Sequence, residues 1–163
     1  MQHLPRLGPA LTAAAMTNYP LYLESGPKHR TTMVHVLDLL GCVANGHTTE
    51  AALAAAPGAI RAWLALPARH GEAADPAAPF DTPVAAHVTE GSWIGYGDPY
   101  PGFAPDFAPI EADEVATHVQ HYRWLRADLL ALVRDLPPDR VLAEPAAGWS
   151  IALIRSEEHT SEL

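Results

Sequence analysis

The sequence predicts an α+β protein: a small ββαβ module followed by the first part of an α-helical bundle. Three observations carry that prediction. Residues 18–24 and 31–36 alternate aromatic, β-branched and aliphatic residues with other types, the period-two pattern of strands. An Ala-rich stretch after Thr48-Thr49 places apolar residues three and four apart, the pattern of a helix with one buried stripe. A third stretch, residues 111–136, repeats that spacing for about seven turns and stops at Pro137-Pro138.

Composition narrows the classes. The chain has 163 residues, 48% hydrophobic and 18% charged, enough to bury a core in one ordinary domain or two small ones. A net charge of −9 argues against general nucleic-acid binding, whose affinity rests on neutralising phosphates. No apolar run approaches the roughly 20 residues that cross a bilayer, so no membrane partner is expected. The single cysteine, Cys42, excludes an internal disulfide and every multi-cysteine zinc motif.

Residues 1–17 form an N-terminal extension. The stretch Leu7 to Ala15 is weakly apolar and follows one arginine, but Pro5 and Pro9 make it a poor leader peptide. The expectation is disorder or a misassigned start with Met16 as the true one, and a cytoplasmic chain. Asn18 to Glu24 (NYPLYLE) reads as a strand, and Ser25-Gly26-Pro27 as a turn. Thr31 to Val36 is a second, antiparallel strand, which Gly41 to Ala44 continue to a tight turn at Asn45-Gly46. Asp38 is expected to cap a turn.

Thr48 or Thr49 caps the helix, and Glu50 sits in its first turn, where negative charge is favoured. Leu53, Ala56, Ile60, Trp63 and Leu64 form its stripe. Pro57 removes a backbone donor, so a kink or break is expected there, and the helix ends before Pro67 or near Gly71. Val84 to Trp93 supplies a third strand.

These residues carry a resemblance. YPLYLESG, then TTMVHVLDLLGCVANGHTTEAALAAAPGAIRAWL, resembles the HicB-like fold of toxin–antitoxin systems over residues 18–95. The shared pattern is a short hairpin, a D-x-x-G-C segment (Asp38, Gly41, Cys42), a Thr-Thr-Glu cap and an Ala-rich helix. Leu40 departs from it, standing where the family usually has proline. The helix-turn-helix or ribbon-helix-helix element common in that family is not read here. The resemblance implies a non-enzymatic antitoxin of a type II system that binds a small HicA-like RNase toxin. A small sheet with one helix also has edges to cover, so a homodimer is expected as well.

Residues 96–110 are a Pro/Gly/aromatic linker. Tyr96, Tyr100, Phe103 and Phe107 have the makings of a stacking platform, but a nucleic-acid groove also needs basic residues. They are expected instead to pin the linker down. Residues 111–154 open with Glu111, Asp113 and Glu114 at a helix start. Val115, Val119, Tyr122, Leu125, Leu129, Leu132 or Val133, and Leu136 make a core-facing stripe. Arg134 to Asp139 (RDLPPD) and Pro145 to Ile151 (PAAGWSI) resemble the start of a DinB-like four-helix bundle, with Ser150 capping the next helix. That resemblance implies an alternative function, a metal-dependent enzyme of the thiol-dependent transferase type. Its divalent metal would sit on three histidines beyond the matched segment, and none of those positions corresponds to a residue in this sequence. Without most of its bundle, 111–154 is expected to be poorly packed. Residues 155–163, RSEEHTSEL, resemble the translation of a common sequencing adapter.

Two constellations remain. His118 and His121 stand i, i+3 on the long helix, but zinc needs at least one further ligand, so both are expected to be ordinary surface or interface histidines. Cys42 with His35 or His47 has the composition of a thiol nucleophile and base. The expectation for Cys42 is a small apolar strand residue. No Walker loop, dinucleotide fingerprint or G-x-S-x-G occurs. The sequence therefore puts forward no catalytic, cofactor-binding or metal-binding residue, and no cofactor for this chain.

Overall fold

The structure, a computed structural model, describes residues 16–26, 31–91, 94–95, 102–146 and 150–153. The expectations for the extension before Met16, for Pro27, Tyr96, Tyr100, Gly148-Trp149 and the adapter-like tail lie outside the described residues. The chain divides into two units, 1–109 and 110–163. It is α+β, as the sequence predicts.

The first unit contains β1 (Thr17–Asn18), β2 (Leu21–Ser25), β3 (Thr32–Val36), β4 (Cys42–Gly46), α1 (Thr49–Arg69), β5 (Phe80–Asp81) and β6 (Val84–Val88). Its main sheet has the order β4-β3-β2-β6; β2, β3 and β4 are antiparallel neighbours, and β6 runs parallel to β2. β1 and β5 make a short parallel pair. The module is thus βββαβ in its main sheet, one strand richer than the ββαβ expectation. The second strand does not continue through Gly41. A turn at 37–41 intervenes, with Asp38 inside it and Gly41 at φ +81°, a conformation that only glycine adopts without strain. The apolar run Leu37-Leu39-Leu40 hides this turn from a pattern reading.

Side chains alternate across the sheet. Leu21, Leu23, Val34, Val36, Cys42 and Ala44 point to one face and meet Ala52, Ala56, Ile60 and Leu64 of α1. The buried helix stripe runs Ala52, Ala56, Ile60, Leu64; the last three are the predicted ones, and Leu53 and Trp63 lie partly buried at its margins. Small alanines on this line let the helix lie close to the sheet. Thr48 is the N-cap, its Oγ1 accepting from the Ala51 N–H at 3.1 Å. The Trp63 indole N–H donates to the Leu40 carbonyl at 3.0 Å and ties the helix to the β3–β4 turn.

Pro57 and Pro67 both lie inside α1, and the helix continues to Arg69. Of the kink or break expected at Pro57, the break does not occur. One lost backbone hydrogen bond is outweighed where Ala56 and Ile60, fully buried on either side, hold the helix on the sheet. By length and a mean hydropathy of 1.3, α1 alone would be long and apolar enough to cross a membrane. Here its apolar stripe forms the core.

In the second unit, α2 spans Ala112–Arg134 and α3 spans Pro138–Leu142. The Ser150 Oγ accepts from the Leu153 N–H at 3.2 Å, the cap that the sequence predicts. The stripe on α2 is exposed rather than core-facing: Tyr122, Leu125 and Leu132 are 53%, 51% and 73% accessible. An apolar stripe left this exposed agrees with the expectation that the segment is poorly packed.

Candidate protein-binding edges

Three surfaces of the main sheet decide what it can bind: its two faces and its edges. The inner face is filled by α1. The outer face carries Tyr22, Glu24 and Met33 with His35, Val43 and Asn45, and its centre is also closed. Glu24 is fully buried, and its Oε1 lies 2.8 Å from the His35 Nε2. Its Oε2 accepts from the Gly95 N–H at 3.0 Å. Phe103 lies over the pair, 5.3 Å from the Tyr22 ring and 5.9 Å from the His35 ring. The backbone N–H of Phe103 donates to the Asp106 carboxylate at 2.6 Å, which fixes the short 3-10 turn Ala104–Phe107 behind it. Phe103 therefore pins the linker to the sheet, as expected of the aromatics, whereas Phe107 is exposed.

Clefts of about 220 and 500 Å³ flank this plug. The first is lined by His35, Leu40, Val43 and Asp106, the second by Met33, Asn45, His47 and Gly95. Gly95 has φ +84°, and any side chain there would collide with the backbone of Gly26 and Thr31. The plug is seated as closely as the backbone allows.

The thiol–histidine pair does not assemble. Adjacent strand positions face opposite ways, and Val36 pairs with Cys42 while His35 pairs with Val43. Cys42 thus enters the core and His35 the outer face; His47 is exposed in the turn after β4. Burial pushes the Cys42 thiol up to about 11, away from the thiolate that a nucleophile needs. Tyr19 is raised too, first by burial and then by the charges of Asp38 and Cys42. Cys42 makes stability pH-dependent. Below pH 9.0 the thiol is protonated in both folded and unfolded chains, so its contribution is intact. Between 9.0 and about 11 the unfolded chain loses the proton and the folded chain keeps it, so stability falls. Urea midpoints measured up to pH 11 should decline in this window, and Cys42→Ala should remove part of that decline.

A second polar constellation, buried at Ser25 and Thr32, has no counterpart in the sequence reading. The Ser25 hydroxyl lies 2.6 Å from that of Thr32 and 2.7 Å from the His87 Nε2; Thr49 is 3.0 Å from Thr32. The Ser25–His87 contact has the distance of a nucleophile and base. Ser25 is fully buried, however, so no carbonyl carbon reaches its oxygen. The network instead ties β2, β3 and β6 to the first turn of α1. Nothing in the local sequence signals it, because its members lie up to 62 positions apart.

On α2, His118 lies 3.6 Å from Glu114, and His121 is buried with its ring 5.6 Å from Trp124. They do not join a common site. Among the described residues, no three His, Cys, Asp or Glu side chains are placed to hold a metal ion.

The edges remain. At β6, Val84 is half exposed, and Asp81 and Glu90 stand exposed just before and just after the strand. At β4 the strand itself is neutral, and Val43 and Leu40 are exposed beside it. Comparisons with protein-family models, with curated proteins and with solved structures find no match for the chain.

Proposed function

We propose that the first unit is a non-enzymatic protein-binding module of antitoxin type, acting in the cytoplasm on a small basic RNase of the HicA kind. The observation that carries this reading is the β6 edge, a partly exposed strand with the exposed carboxylates of Asp81 and Glu90 on either side of it in the chain. An RNase must present positive charge to hold phosphates. An acidic strand edge attracts that surface, steers the encounter and competes with RNA for it. The closed outer face and the buried Cys42 and Ser25 support a binding role over catalysis by those residues. The antitoxin resemblance of residues 18–95 supplies the partner class.

Co-purification of the chain with a small basic RNase from the same source should give a complex whose affinity falls steeply with added salt. Asp81→Lys with Glu90→Lys should weaken it by about tenfold or more. Tight binding that is indifferent to both salt and these reversals would remove the β6 edge from consideration, and no binding would remove the antitoxin reading.

A further inference from the structure

The two edges of the main sheet are built differently. β6 is blunted: Pro83 precedes it, its register shifts between Leu21 and Tyr22, and acidic residues flank it. β4 has none of these protections. It is Cys42-Val43-Ala44-Asn45-Gly46, with no charge and no proline, and pairs with β3 in unbroken register along its whole length. Soluble proteins normally protect such an edge, because alternate residues direct N–H and C=O groups outward as a template for another strand. Among the described residues β4 has β3 as its one strand neighbour. Leu40 is 61% and Val43 47% exposed beside it.

We propose that β4 pairs antiparallel with β4 of a second copy of this chain, about a two-fold axis at Ala44, joining two four-stranded sheets into one. Charge selects the occupant. A charged partner, of either sign, finds no opposite charge on this strand. A second copy presents an equally neutral, equally apolar edge. The two-fold pairing sets Cys42 opposite Gly46 and Val43 opposite Asn45, so no like charges meet although each chain carries −9. The two Val43 side chains then lie on the same outer face, diagonal to one another across the seam and each opposite Asn45 of the other copy, the self-complementary arrangement that a two-fold interface requires. This inference does not depend on the antitoxin reading.

Sedimentation velocity on the full chain tests it, with two sets of variants. Val43→Lys places a charge at the seam. Leu125→Glu with Leu129→Glu charges the exposed stripe of α2, the other apolar surface able to associate. The expected result is a dimer weakened about tenfold or more by Val43→Lys, with unchanged circular dichroism, and left intact by the α2 variant. If Val43→Lys fails to fold, Asn45→Lys, at the exposed position that faces Val43 across the seam, is read in its place. A monomeric wild-type chain, or a dimer that survives the edge variants, overturns the proposal.

Discussion

Replacing His35 with alanine should destabilise the first unit by about 3 kcal/mol, because it strips a buried carboxylate of a partner. Glu24 has no exposed surface, and its two oxygens are satisfied by the His35 ring and the Gly95 N–H. Without the ring, one oxygen remains in an apolar setting beneath Phe103. Urea unfolding of His35→Ala should show a lowered midpoint with an unchanged slope. Adding Glu24→Leu to the same variant should recover much of the loss, since it removes the stranded charge rather than restoring its partner. Equal stability of His35→Ala and the wild type would mean that Glu24 reaches water. The plug gives a second readout: the Gly95 amide should exchange with solvent faster in His35→Ala, as its acceptor loses its anchor.

Gly46→Ala should cost about as much, for a steric reason. A Cβ at Gly46 would lie 2.5 Å from the Ala52 nitrogen and 2.9 Å from the Ala51 carbonyl carbon. Both are helix backbone, which cannot turn aside as a side chain can. Either β4 or the first turn of α1 must move, and with it the buried contacts of Ala52. Gly58→Ala is the control of opposite sign. A Cβ there meets nothing within 4 Å, on the exposed side of α1, so the better helix former should stabilise by up to about 1 kcal/mol. Thermal melts of the two variants should bracket the wild type. If both shift the same way, the close approach of β4 and α1 is not what Gly46 serves.

The effects differ in how they are encoded. The α1 cap, the helix end near Gly71, the acidic start of α2 and the Ser150 cap are legible because each depends on residues within one or two turns. So are the α+β class and the interior position of Cys42, which follow from period and residue type. The β3–β4 turn is less legible: Leu37, Leu39 and Leu40 carry apolar pattern straight through it, and one glycine at positive φ reverses the chain. Pro57 misleads in the other direction, since a local breaker is outweighed by long-range packing of Ala56 and Ile60.

The site residues divide along the same line. Strand alternation, once the strands are known, separates Cys42 from His35. The Glu24–His35–Gly95 cluster and the Ser25–Thr32–Thr49–His87 network join positions as much as 71 apart in the chain, so no local pattern announces them. Their existence rests on sheet order, above all on β6 returning parallel beside β2. Among the described residues the strand order also makes β4 and β6 the edges, and so assigns the neutral strand and the acid-flanked one to the two sides of the sheet. Local propensity acts over a few residues, so it sets elements and caps. Burial of a charge, and the choice of which strand is left unpaired, arise only when distant segments compete for the same surface.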